Sequence, residues 1–207
     1  MKKFVIGIDE VGRGALAGPV LVAAAVVLKK INFRYLFLPP LKDSKRLTFF
    51  QRKKWFEFIK EQPQILYTLT RVEPKTVDKI GISKAANFAA VKSFKKLLNK
   101  NKNLQTQNCL VILDSGLSLL GLDDFYKNFK VFSVVKADEK YDCVKIASIV
   151  AKVSRDNYMR KIHKKYPLYG FDKHKGYGTD KHLKAIQKYG PSEIHRLTFI
   201  RKYINIK

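Results

Sequence analysis

Asp9 and Glu10 stand side by side where the first apolar run of the chain ends, in Ile6-Gly7-Ile8-Asp9-Glu10-Val11-Gly12-Arg13-Gly14. Acids are scarce here, 17 against 42 Lys and Arg among 207 residues, so each carboxylate calls for a reason. An acidic pair at a strand end, opening into a glycine-rich turn, suits a divalent-metal site. Asp114 closes the apolar run Leu110 to Leu113, and Asp138 lies shortly beyond the run Val131 to Val135. Acids at strand ends in an open α/β sheet converge on one edge, where ligands bind. One such Asp is often only a turn former or helix cap. Four of them in so basic a chain read as a ligand set. Oxygen-only ligands select hard cations such as Mg²⁺ or Mn²⁺. Two such ions about 4 Å apart can activate a water and stabilise the leaving oxygen in phosphodiester hydrolysis.

The rest of the chain offers groups that hold a polyanion. Gly12-x-Gly14-x-x-x-Gly18 has the wrong spacing for a dinucleotide fingerprint, and a strand-like run follows where a helix should. It also lacks the Gly-Lys-Ser/Thr ending of a triphosphate loop. Bare backbone N–H groups and Arg13 suit close approach by a sugar-phosphate chain, the plainer alternative being an ordinary tight turn. Ser148, Lys152 and Arg155 share one helical stripe, either a solvated face or a phosphate contact. Tyr166, Tyr169, Phe171, Tyr177 and Tyr189 interleave with lysines and histidines, a pattern in which rings stack while cations hold phosphates. Phe171 fits a core; Tyr177, between two glycines, is expected to be exposed and is the better contact.

A formal charge of +25 costs stability through self-repulsion unless a polyanion uses it, which points to nucleic acid. No stretch of about 18 apolar residues exists for a membrane span. Asp9-Glu10 interrupts the apolar start too early for a signal peptide. Cys109 and Cys143 fit a reducing compartment and form no zinc pattern with the four histidines. The expectation is a cytoplasmic protein.

The elements that must position these residues follow from periodicity. Phe4 to Ile8 and Val20 to Leu28 read as an antiparallel hairpin, the β-branched flanks of Ala23-Ala24-Ala25 favouring strand. Thr48-Phe49-Phe50-Gln51 has capping-box spacing and opens a helix to about Glu61. Ile65 to Val72 alternates as a third strand. Ser83 is expected to cap a helix that buries Ala86, Ala90, Phe94 and Leu97 and exposes Lys92, Lys95 and Lys96. Strands at 110–113 and 131–135, a helix over about 144–161, and a shorter one from Thr179 to Gly190-Pro191 complete the pattern. The fold class is α/β: a mixed sheet flanked by helices, with a helical C-terminal part from about residue 160, in a single domain over 1–207.

Six motifs in order resemble the ribonuclease HII family, type 2 ribonuclease H: Gly7 to Gly14; Leu16-Ala17-Gly18-Pro19-Val20; Asp43-Ser44-Lys45; Ala147 to Lys152 with Val153, Arg155 and Asp156; His174 to Thr179; and Gly190-Pro191-Ser192 with Ile194, His195 and Arg196. The resemblance runs from about residue 4 to Phe199. It implies a ribonuclease H-like fold and a metal-dependent endonuclease that hydrolyses RNA in RNA–DNA hybrids, leaving 5′-phosphates. It further implies cutting on the 5′ side of single ribonucleotides embedded in duplex DNA, with two Mg²⁺ or Mn²⁺ ions. The implied metal ligands and catalytic residues are Asp9, Glu10, Asp114 and Asp138. The Gly12-Arg13-Gly14 loop would read the RNA–DNA junction through the 2′-hydroxyl, with Tyr177 as the junction-sensing tyrosine and Ser44, Lys45, Ser148 and Lys152 as further substrate contacts. Two positions depart from the pattern: Ala15 stands where Pro is common, and Asp138 lies in Lys-Ala-Asp-Glu, which leaves Glu139 open as a neighbouring ligand. The type 3 enzymes carry an extra N-terminal domain, for which the residues before Phe4 leave no room, and the eukaryotic catalytic subunit is longer and works with partners. A monomeric prokaryotic-type enzyme is expected. The rival readings are a non-catalytic basic nucleic-acid binder, which has no use for four cleft carboxylates, and another nuclease of the same fold, such as a resolvase or integrase.

Overall fold

β-Branched runs alternating between two buried faces build the centre of the molecule. A computed structural model of the protein describes residues 4–29, 31, 33, 38–106, 108–119 and 129–204. Its sheet contains β1 (Val5–Val11), β2 (Val20–Val27), β3 (Ile65–Val72), β4 (Cys109–Asp114) and β5 (Phe129–Val134), in the order β3-β2-β1-β4-β5. β2 pairs antiparallel with β1 and β3, while β4 runs parallel to β1 and β5. Around it come α1 (Phe49–Glu61), α2 (Pro74–Ile80), α3 (Ile82–Lys100), α4 (Asn103–Thr106), α5 (Ala137–Lys140), α6 (Asp142–Lys165), α7 (Phe171–His174), α8 (Asp180–Tyr189) and α9 (Leu197–Ile200).

Period-2 alternation places the two helical layers. Val20, Val22, Ala24 and Val26 face Ala86, Ala90, Phe94 and Leu97 of α3. Ala23 and Ala25 face Trp55 and Ile59 of α1 and Ile146, Ile149 and Val150 of α6. The alanine run is therefore strand, and its small side chains let helices approach both faces closely. Fully burying a side chain such as Phe94 or Leu97 stabilises by roughly 2 kcal/mol. The lysines at 92, 95 and 96 are exposed, as the stripe requires.

Caps fix where the helices begin. Thr48 and Gln51 form a reciprocal capping box on α1, and the Thr179 hydroxyl accepts from the His182 N–H at the start of α8. Gly190, at φ +73°, ends α8. Ser83 does not cap α3; Gly81 does, and the Ser83 hydroxyl accepts instead from Arg13 at 3.1 Å. α2, opened by Pro74 in the first turn, has no counterpart in the sequence reading, though proline there is a known start signal. α6 extends the expected helix at both ends. Asp142 in its first turn and His163, Lys164 and Lys165 in its last complement the helix dipole.

The C-terminal helices have their own core. Met159, Tyr169, Phe171, Ile186, Ile194 and Ile200 pack around Leu16 and Ala17, which lie in the turn between β1 and β2. The turn after Asp9-Glu10 is thus held from beneath by the C-terminal part.

Candidate active site

Gly7 decides where Asp9 goes. A Cβ at residue 7 would lie 2.4 Å from the Cys143 carbonyl carbon, so only glycine lets α6 press directly on β1. Asp9, two residues on, shares that covered side and is 5 % exposed. The Ser148 hydroxyl of α6 hydrogen-bonds to it and also lies 2.7 Å from the Ser44 hydroxyl. Parallel pairing sets Ile8 opposite Leu113, which brings Asp114 level with the acidic pair. Oxygens of Asp9, Glu10 and Asp114 all lie within 4.8 Å of one another.

Such crowding opposes ionisation. Burial, then the charge of Glu10, hold the Asp9 carboxyl well above the usual carboxylate range, against the Ser148 hydrogen bond. Burial lifts Glu10 to about 7, although Arg13, at 3.5 Å, pulls the other way. Asp114 is raised by burial and by the charge of Asp138. The buried Glu10 Oε2 has no hydrogen-bond partner among the described residues. A strong acceptor left in that state is a costly arrangement for a purely structural cluster.

Asp138, buried in the short α5, lies beside this triplet rather than in it. Its Oδ2 faces the Lys45 ammonium at 3.4 Å. Asp138, Asp43 and Asp9 together raise the Lys45 ammonium above its ordinary range, against the effect of burial. Glu139 is turned to Arg46 at 3.3 Å and Lys136 at 3.8 Å. Asp43, which opens the Asp43-Ser44-Lys45 motif, is buried; its Oδ1 accepts from the Lys45 N–H, and burial, then the charge of Asp138, raise its carboxyl.

The two glycines of the Gly-Arg-Gly loop do different work. Gly12 has φ +88°, and a Cβ there would lie 2.2 Å from the Arg155 Nε, so it is demanded by packing. A Cβ on Gly14 would meet nothing within 4 Å; this exposed backbone is the open part of the loop. Arg13 lies along the protein, donating to the Gly116 carbonyl at 2.9 Å and to Ser83.

A family model described as Ribonuclease HII matches residues 6–202. The chain belongs to the ribonuclease HII family. Curated relatives with that description include one from Caldicellulosiruptor bescii, 42% identical over 205 residues, covering 99% of this chain and 90% of the relative. Another, from Acetivibrio thermocellus, is 43% identical over 202 residues, covering 98% and 72%. The crystal structure of ribonuclease H2 from Pyrococcus horikoshii OT3 matches with a TM-score of 0.72 at 29% identity, covering 97% of this chain and 96% of that one. Membership makes the protein an endoribonuclease of the ribonuclease H type that acts on RNA–DNA substrates, and the mixed sheet with flanking helices is that fold.

In this ribonuclease HII-family chain the stripe on α6 is neither solvated nor wholly available to phosphate. Ser148 is buried under Asp9 and Ser44, and Lys152 pairs with Asp156 at 2.9 Å. Arg155 is fully buried and donates to the carbonyls of Ala17 (3.0 Å), Pro19 (3.1 Å) and Lys175 (2.8 Å). Tyr177, expected to be exposed, is half-buried, its ring 5.3 Å from the Arg155 guanidinium, which holds it in place. Arg196, also fully buried, donates to Gly18 (3.0 Å) and Arg13 (2.9 Å) carbonyls. Arg155 thus bridges the turn after β1 to the Tyr177 loop through Lys175, and Arg196 ties the same turn to the segment that carries His195. Sequence reasoning missed that role; the only signal for it was their place inside two of the six motifs.

Proposed function

We propose that this chain cuts the phosphodiester on the 5′ side of ribonucleotides in RNA–DNA duplexes, single embedded ribonucleotides included, with two divalent cations. The observation that carries this reading is the close triplet of Asp9, Glu10 and Asp114 with its unpartnered Glu10 Oε2. The donor set fits hard cations: all oxygens, like-charged, and with carboxyls raised by burial and by one another despite Arg13. Asp9, Glu10 and Asp114 would hold Mg²⁺ or Mn²⁺, with Asp138 completing the set from α5. When bound, such ions activate a water and stabilise the leaving oxygen.

The remaining roles belong to side chains and backbone. The open backbone at Gly14 and its neighbours would approach the 2′-hydroxyl, the feature that separates RNA from DNA. The Tyr177 ring would stack on the neighbouring deoxyribose and so favour a ribonucleotide followed by DNA. Lys45 and Lys152, currently paired with Asp138 and Asp156, would exchange those partners for phosphates, with Ser44 and Ser148 orienting the loop and helix that carry them. We read the protein as acting as a monomer, in the cytoplasm. No helix among the described residues is long and apolar enough to cross a membrane.

The test is cleavage of an end-labelled duplex carrying one ribonucleotide. The product should retain the ribonucleotide at the 5′ end of the downstream fragment. Cutting on its 3′ side, or no cutting beside activity on a long hybrid, overturns the junction reading.

A further inference from the structure

The loop that carries Tyr177 is bent through two left-handed residues, Lys175 (φ +54°) and Gly176 (φ +83°), and needs external partners to stay so. Gly176 supplies two. Its carbonyl accepts from the Leu16 and Ala17 N–H groups at 2.8 and 3.2 Å, and a Cβ there would lie 2.4 Å from the Ala17 oxygen. The others are histidines, and their contacts fix every proton. Backbone N–H groups only donate and carbonyls only accept, so each ring has one tautomer. His174 accepts from the Gly176 N–H at Nδ1 (3.2 Å) and donates from Nε2 to the Tyr169 carbonyl (2.7 Å). His195 accepts from the Ser192 N–H at Nδ1 (2.9 Å), so its proton is on Nε2. That nitrogen lies 3.0 Å from His182 Nε2, and His182 Nδ1 lies 2.9 Å from the Tyr177 carbonyl. The protons therefore run one way: Ser192 N–H to His195, His195 to His182, His182 to Tyr177.

We propose that His182 and His195 form a one-directional hydrogen-bond relay that positions Tyr177 for substrate discrimination. The proposal rests on the reading of Tyr177 given above. Both rings are buried among Tyr169 and Phe171, and burial lowers both to about 4, so they stay neutral at pH 7. A second proton on His182 would set N–H against N–H across 3.0 Å, and one on His195, at Nδ1, would face the Ser192 N–H at 2.9 Å. The next residue, Arg196, binds the carbonyls of Arg13 and Gly18, and its own N–H reaches Leu16. The dipeptide His195-Arg196 thus ties the Tyr177 loop and the Gly-Arg-Gly loop to one point, and the distance between the two readers of the junction is set there.

Two amides separate this role from packing. His182→Asn keeps a donor where Nδ1 reaches Tyr177 and loses the link to His195. His182→Gln places its amide where Nε2 was and cannot reach Tyr177. The readout is the ratio of kcat/KM on an embedded ribonucleotide to that on an all-RNA strand paired with DNA, with Tyr177→Ala measured alongside. Asn should lower the ratio in part, by the loss of the link to His195, and Gln should lower it further, by roughly tenfold, about what one buried hydrogen bond is worth; a wild-type ratio in Asn overturns the part given to His195. Equal ratios for Asn and Gln, with a lowered ratio for Tyr177→Ala, overturn the relay alone. An unchanged ratio for Tyr177→Ala overturns the reading of Tyr177 and the relay's part in specificity with it. Long-range ¹⁵N–¹H correlation of the wild-type imidazoles stands independent of whether either variant folds. It should show His182 protonated on Nδ1 and His174 and His195 on Nε2. A His182 proton on Nε2 overturns the relay outright.

Discussion

Glu10→Gln should stabilise the metal-free protein, by a gain that grows above about pH 4.5 and is complete above about pH 7. Burial lifts the Glu10 carboxyl from 4.5 to about 7, and the Arg13 pair at 3.5 Å is already contained in that net value. Its side chain is 11 % exposed, so solvent screens it little. A folded-state value raised above the unfolded one gives stability that is complete below about pH 4.5 and lost as pH rises through about 7. At 1.36 kcal/mol per pH unit the loss is roughly 3 kcal/mol. Gln keeps the shape and cannot ionise, and removing the charge also relieves Asp9, so the gain can only be larger. For a chain of this length that is a rise in Tm of about 6–12 °C. Urea unfolding of both proteins in chelator, from about pH 5 to about pH 8, gives the difference in stability at each pH, and titrations elsewhere in the molecule cancel in it. The difference should climb from about pH 5 and level off above about pH 7. A difference that stays flat across the range refutes the claim that uncompensated charge is stored at this site.

Two further outcomes follow from the same structure. Arg155→Met leaves the carbonyls of Ala17, Pro19 and Lys175 without their donor and should cost at least about 3 kcal/mol in urea unfolding. Arg155→Lys should not rescue it, since an ammonium cannot span three directions as a guanidinium does; wild-type stability in the Lys variant would contradict the clamp. Duplex affinity should fall linearly with log salt, with a slope of roughly −0.9 per phosphate contact, and a flat response would leave the charge of +25 without a partner.

The strands and the main helices were legible because their signals are local. β-Branched alternation gave the hairpin, a capping box gave α1, and the apolar stripe gave the buried face of α3. The carboxylates were legible as residues at strand ends, and the parallel register of β1 and β4 supplied what no spacing could, the meeting of Asp9, Glu10 and Asp114. Arg155 was not legible. Its partners lie at residues 17, 19 and 175, and a guanidinium satisfied by distant carbonyls leaves no charge pattern in the chain. The same holds for His182 and His195, whose tautomers depend on contacts made only after folding. Asp138 was legible as an acid beyond a strand end, but not its pairing with Lys45 at 3.4 Å, which depends on a residue 93 positions away.

On the proposed reading, Asp9, Glu10 and Asp114 are kept together to hold cations for hydrolysis. Asp114→Asn separates binding from turnover most directly, because Asp114 is half-exposed and removing its charge also eases the crowding around Asp9. Calorimetric titration with Mg²⁺ or Mn²⁺, paired with single-turnover cleavage of a duplex containing one ribonucleotide, should show weakened metal binding, lost cleavage and a duplex affinity close to wild type. Cleavage near the wild-type rate, or unaltered metal binding in the Asn variant, would contradict the account.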